Sequence, residues 1–240
     1  MSIKKFAVAA VAVLVGVSSS FATWDYFPPK ESGGEAKLNF EFGMPAEKTT
    51  TMQLNVGARY TIIPGLEASV ILPVPLSSSF DGNSADDYAG LSKPVIGVRY
   101  WLPMGLGFFV DAILPVDTRD AYEPDIAFYV GAQYSMNFTD ELKFGSELGV
   151  VIPTTEGADV DMVIGAEVNY SLGMVTPFLA LELTNILVDA DMGLGITVGA
   201  GFGINDMLGA DVYANFGVLD GNGGPDNTPI TIGATFSVNF

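Results

Sequence analysis

The sequence contains no cysteine and no histidine in 240 residues. Without cysteine there are no disulfides, no thiolate nucleophile and no Cys-ligated zinc or iron–sulfur site. Without histidine the usual general base is missing, which removes Ser-His-Asp hydrolysis and His-ligated metals. Positive charge is scarce as well: 10 Lys and Arg stand against 28 Asp and Glu, a formal net charge of −18. A chain with so little cationic surface cannot neutralise phosphates, so nucleic-acid binding is excluded. No catalytic residue, cofactor or metal site is expected, and the chain is not read as an enzyme. Only 16% of residues are charged while 49% are hydrophobic. That balance is unusual for a soluble protein.

The N-terminus reads as an export signal. Lys4 and Lys5 form a basic start, Phe6 to Val17 is apolar, and Ser20-Phe21-Ala22 is a small-x-small cleavage pattern. The apolar run is shorter than the roughly 20 residues that span a bilayer as a helix. Cleavage after Ala22 removes two lysines and no acid, so the exported remainder is still more acidic. Residues 23–34 are expected to form a periplasmic segment or a plug, and residues 35–240 a single β-domain.

After Gly34 the hydrophobic pattern has period 2, in segments bounded by Gly, Pro, Asn or Asp. The segments are 35–45, 51–63, 66–76, 93–103, 106–117, 125–139, 142–153, 160–172, 175–187, 192–205, 207–218 and 228–240. Tight turns at Pro64-Gly65, Met104-Gly105, Asp140-Glu141, Leu172-Gly173-Met174 and Asn205-Asp206 alternate with longer acidic loops at 77–90, 118–124, 154–159, 188–191 and 219–227. The fold expected is all-β: a 12-stranded antiparallel up-and-down transmembrane β-barrel, both termini on the short-turn side.

The faces decide between lipid and water. In the last segment Ile230, Ile232, Ala234, Phe236, Val238 and Phe240 oppose Thr231, Gly233, Thr235, Ser237 and Asn239. A soluble barrel buries its apolar face inward and is charged outside, and this chain has too few charges for that. An apolar face turned to lipid, with a small and polar face lining the interior, is what a transmembrane barrel requires. The location expected is the outer membrane of a Gram-negative cell, with membrane lipid, lipopolysaccharide and the barrel-assembly machinery as partners.

Three features carry a family resemblance. The chain closes an alternating strand with Phe236, Val238 and Phe240, similar to the C-terminal assembly signal of bacterial outer-membrane barrels. Met44-Pro45, Leu72-Pro73, Leu114-Pro115 and Ile152-Pro153 place an aliphatic–Pro step at the ends of four upward strands. The stretch Ile152-Pro153-Thr154-Thr155-Glu156-Gly157 resembles strand ends of the phenol-degradation MetA-pathway family of outer-membrane transporters. The resemblance implies a porin-like barrel and brings no catalytic residues. Independently of it, proline belongs where ladder pairing stops.

Charges on the inward face are the candidate site, because a charge at membrane depth must face water or a partner. By parity these are Glu41, Arg59, Glu67, Arg99, Asp111, Glu147, Glu167, Glu182 and Asp211, with Lys37, Lys143 and Asp161. Given the Pro64-Gly65 turn, Arg59 falls beside Ser69 and diagonal to Glu67; Glu41 reaches Arg59 only if the first hairpin's register permits. Arg99 and Asp111 are diagonal across the Met104-Gly105 turn. Glu167 and Glu182 are diagonal with no base nearby, an arrangement that would hold a cation or share a proton. The inward glycines of strand ten relieve curvature, or leave room for a solute or for the aromatic segment Trp24–Phe27. Asp81-Gly82-Asn83 begins like a calcium loop, but Ala85 and Asp86 break the pattern. Two functions remain open: a passive channel for small solutes with an acidic lumen disfavouring anions, or a closed structural barrel with acidic loops for surface contact.

Overall fold

The computed structural model describes residues 26–28, 31–46, 48–84, 89–118, 125–187, 192–219 and 229–240. The export signal expected at 1–22 lies outside the described residues, as do most of the loops at 118–124, 188–191 and 219–227. Twelve antiparallel strands form the wall: β1 Gly33–Ala46, β2 Thr49–Ile63, β3 Leu66–Phe80, β4 Val95–Trp101, β5 Leu106–Ile113, β6 Ala127–Asn137, β7 Leu142–Pro153, β8 Asp161–Tyr170, β9 Val175–Thr184, β10 Gly193–Gly203, β11 Leu208–Leu219 and β12 Ile230–Asn239. Each strand pairs with its neighbours in sequence, and β1 pairs with β12 from Glu35↔Asn239 to Met44↔Ile230. The β1–β12 pairing closes the sheet into a barrel, the condition for a sheet in hydrocarbon.

Alternation explains the wall. Leu38, Phe40, Ile96, Val98, Phe108, Val110, Leu179, Leu181 and Ile232 all point outward and are exposed, each on a different side of the barrel or one pleat apart. Their sequence neighbours point into the lumen. Tyr60, Tyr100, Tyr134 and Tyr170 are exposed near the short turns, where amphipathic rings sit at a membrane interface. The short turns use glycine where the backbone demands it: Gly65 and Gly105 have φ of 85° and 81°, a region L-residues rarely adopt.

Several strand ends differ from the pattern expected. β4 and β5 are shorter, ending where Pro94 and Pro115 interrupt the ladder, whereas β3 runs on past Pro73 to Phe80. Pro73 is not a strand end. The upper part of β3 pairs with β2 through Phe80, while its ladder to β4 stops at Ile71↔Val95. The carbonyls of Pro73 and Pro75 still accept from the backbone N–H of Ser92 (2.9 Å) and Gly90 (3.1 Å), so only the donors they lack are lost. The expected loop at 77–90 begins as hairpin, with Asn83 and Ser84 pairing back onto Phe80 and Ser79.

Candidate functional site

Among the described residues of β1–β7 and β11, the lumen holds three groups of polar side chains. The first is a zigzag of charge across β1–β5. The strand register sets Arg59 opposite Ser69 and Glu67 opposite Arg99. Arg59 contacts Glu35 at 2.6 Å and Glu67 at 3.6 Å; Arg99 contacts Glu67 at 3.8 Å and Asp111 at 3.0 Å. Arg99 also donates to Ser69 Oγ at 3.3 Å and lies over the Phe109 ring. Glu67, Arg99 and Asp111 are almost completely buried, at 1%, 3% and 1% exposure. Carboxylates and guanidinium groups alternate, so each buried charge has an opposite neighbour, the condition under which burial is tolerated.

The expected Arg59–Glu67 and Arg99–Asp111 diagonals are present. The conditional Glu41–Arg59 contact is not. The first hairpin pairs Glu35 with Arg59 and Glu41 with Gln53, so Glu35 takes the place proposed for Glu41. Parity alone could have nominated Glu35, which opens the first expected strand on the inward side. Lys143 was expected inside but is exposed at the start of β7, beyond the last full pleat of the lumen.

The second group surrounds Glu41. Its carboxylate accepts from Asn39 Nδ2 (3.1 Å), Asn55 Nδ2 (3.3 Å) and the Tyr213 hydroxyl (2.5 Å). Tyr213 reaches it from β11 across Gly233, where a Cβ would collide with the phenol ring. Three neutral donors thus hold a lumen carboxylate. The third group is Glu147, which accepts from the Tyr129 hydroxyl and, at 2.7 Å, from Gln133 Nε2. None of Asn39, Asn55, Tyr129, Gln133 and Tyr213 was singled out from the sequence. Inward parity marks their positions, but only register shows which carboxylate each one meets.

Inward glycines serve side chains on neighbouring strands. Phe178 occupies the space above Gly199 and Asp211 that above Gly201, so the glycines of β10 make room for contents of the lumen as well as for curvature. The aromatic N-terminal segment meets other glycines than those of β10. Tyr26 is buried against Gly145 and Gly165, whose added Cβ atoms would collide with it.

Glu167, Glu182 and Asp211 lie apart from the ion-pair zigzag. Glu182 pairs in register with Gly165 and Glu167 with Ala180, the expected diagonal. Glu147 also pairs with Gly165, from the other side, so Glu147 and Glu182 flank the glycine against which Tyr26 packs. Glu167, Glu182 and Asp211 border a cavity of about 370 Å³ that runs along β8–β12, with Lys37 and Glu35 at its β1 margin. Lys37 lies 3.7 Å from Glu35. Phe236, Val238 and Phe240 project outward, Phe236 and Phe240 being 62% and 66% exposed.

A closed twelve-stranded wall with an apolar belt outside and charge inside decides the class. This is an outer-membrane β-barrel. No protein-family model and no curated protein matches the sequence, but solved structures match the fold. The COG4313 outer-membrane channel from Pseudomonas putida F1 superposes with a TM-score of 0.67 at 11% identity, covering 91% of this chain and 99% of that one. The translocator domain of the autotransporter NalP from Neisseria meningitidis gives 0.55 at 11% identity, covering 98% of each chain. The Pseudomonas putida toluene transporter TodX gives 0.54 at 10% identity, covering 90% and 91%. At such identities the likeness concerns the fold, and the outward apolar belt independently requires a membrane.

Proposed function

We propose that the barrel is a passive channel for small solutes, with an acidic lumen that disfavours anions. The observation that carries this reading is the cavity along β8–β12. It lies inside a closed wall, and its charges are Glu35, Glu167, Glu182 and Asp211 against Lys37 alone. Such a field raises the local concentration of cations and lowers that of anions. Three structures with the same fold are described as channels or transporters: the COG4313 channel, TodX and a monoaromatic hydrocarbon channel, CymD. Membership of the phenol-degradation MetA-pathway family is part of the same proposal.

The remaining roles follow from position. Residues 1–22 direct export, and the segment ahead of β1, whose Tyr26 packs in the lumen, serves as a plug. The exposed Phe236, Val238 and Phe240 are offered to the barrel-assembly machinery, and the belt meets membrane lipid and lipopolysaccharide. The second reading, a closed structural barrel, is favoured by the Tyr26 packing and the ion-pair zigzag, both of which fill lumen.

Single-channel recording of the refolded mature chain under a potassium chloride gradient separates the two. A channel gives steady conductance and a cation-selective reversal potential, which Glu167→Gln or Glu182→Gln reduces. A silent bilayer, with folding confirmed by a heat-dependent shift in gel migration, would favour the closed barrel.

A further inference from the structure

The cavity has features that a general acidic pore does not need. Phe178 on β9 and Tyr213 on β11 flank Gly199 of β10 at one level, and Phe27 adds a third ring from the N-terminal segment. Two acceptors line this wall. Asn169 Oδ1 is buried without a hydrogen-bond partner, and the half-buried Glu182 carboxylate borders the cavity. A buried acceptor left without a donor is costly, and a ligand that supplies the donor recovers that cost.

The spacing of these groups is set by register. Asn169 pairs with Phe178, and Glu182 pairs with Gly165 four residues further along β8, about 13 Å away at strand rise. Glu167 lies between the two levels. A ring stacked at the Phe178 level would place a ring substituent at Asn169 and a cationic tail between Glu167 and Glu182. Carboxylates beside aromatic faces favour an ammonium group by ion pairing and by cation–π attraction. A neutral hydrocarbon would leave both acceptors unmatched, and a carboxylate on the ligand would be repelled.

We propose that this cavity is a binding site for a small aromatic ammonium ion carrying a hydrogen-bond donor on its ring, taken up during passage through the lumen. The proposal rests on the channel reading for its purpose, but the site can be tested without any conductance. The full mature chain, folded in detergent, would be titrated calorimetrically with tyramine, with 4-ethylphenol as the uncharged counterpart and 4-hydroxyphenylacetate as the anionic one. Tyramine should bind about tenfold or more tightly than either, the value of one charge-assisted hydrogen bond. Phenethylamine, lacking the ring hydroxyl, should fall between.

Glu182→Gln should weaken tyramine about tenfold and leave 4-ethylphenol unchanged, while Glu182→Asp should restore part of the affinity. Asn169→Leu should erase the advantage of tyramine over phenethylamine. Gel migration before and after heating confirms that each variant is folded. Equal binding of tyramine, 4-ethylphenol and 4-hydroxyphenylacetate would overturn the proposal, as would a folded Glu182→Gln that binds tyramine normally. Conductance without tyramine binding removes the site and leaves the channel. Tyramine binding with a silent bilayer leaves the site and removes the channel.

Discussion

The wall from β2 to β7 and the wall from β8 to β12 share the same outer surface and have different interiors. Both turn aliphatic residues to lipid at every second position. Inside, β2–β7 carries Gln53, Asn55, Glu67, Arg99, Asp111, Gln133 and Glu147, all buried. β8–β12 carries Gly165, Ala180, Thr197, Gly199, Gly201 and Thr231 beside Glu167, Phe178, Glu182, Asp211 and Tyr213. Long inward side chains of the first wall meet as ion pairs and hydrogen bonds, with Glu67 Oε1 and Oε2, Arg99 Nε and Asp111 Oδ1 left without a hydrogen bond; the small residues of the second leave space. The charges are accordingly of two kinds. Those of the first wall are buried against one another, and those of the second border the cavity. Lumen charge in such a barrel is informative only when its partners are known.

The largest contrast should appear in stability. Arg99→Met removes the base shared by Glu67 and Asp111 and leaves two nearly buried carboxylates with less compensation. Breaking one partner of a buried pair costs about 3–5 kcal/mol. Glu182→Gln, at the cavity and without a basic partner, should change stability by less than about 1 kcal/mol. Urea unfolding of both variants in detergent, followed by tryptophan fluorescence and gel migration, checks the pair. Similar losses for the two would abolish the distinction between the walls.

A second way to break the comparison is to exchange the interiors. Ala180→Trp puts a large ring into the wall lined by small residues and should lower single-channel conductance severalfold with the barrel still folded. Tyr26→Ala should act in the opposite direction, since the ring packed on Gly145 and Gly165 is withdrawn. No conductance change in Tyr26→Ala would show that the N-terminal segment lies off the solute path. A drop in conductance from an equally bulky replacement at a lipid-facing site, such as Leu179→Trp, would show that the effect at Ala180 is not steric.

These contrasts also mark what was legible in the sequence. Alternation gave the strand count, the faces and the short turns, because a period of 2 is local and each tight turn fixes its own hairpin's register. Arg59 with Glu67, and Arg99 with Asp111, were readable for that reason: each pair straddles a tight turn. Glu35 with Arg59 was not. The first hairpin's ladder shifts between Gly43 and Ala46, and an irregularity of that kind changes partners without changing the hydrophobic pattern. The contacts least legible are those of greatest sequence separation. Tyr213 meets Glu41 only because β12 closes the barrel onto β1, and Tyr26 meets Gly145 and Gly165 only because the N-terminal segment enters the lumen.

Glu41 provides the smallest and most selective test of the comparison. By sequence it belongs with Glu182 as an inward acid, yet it is 5% exposed and accepts from Asn39, Asn55 and Tyr213. Glu41→Gln keeps the shape and one acceptor oxygen but turns an amide toward groups that now donate to a carboxylate. One or two of these hydrogen bonds should be lost or reversed, a cost of about 1–2 kcal/mol. The charge removed is shielded from the cavity by its own donors, so the reversal potential under a potassium chloride gradient should not move. Glu182→Gln should do the converse, leaving stability nearly intact and shifting the reversal potential toward zero. If Glu41→Gln moved selectivity as far as Glu182→Gln does, the field of the lumen would be set by the count of inward acids, and hydrogen-bonded enclosure would be irrelevant to it.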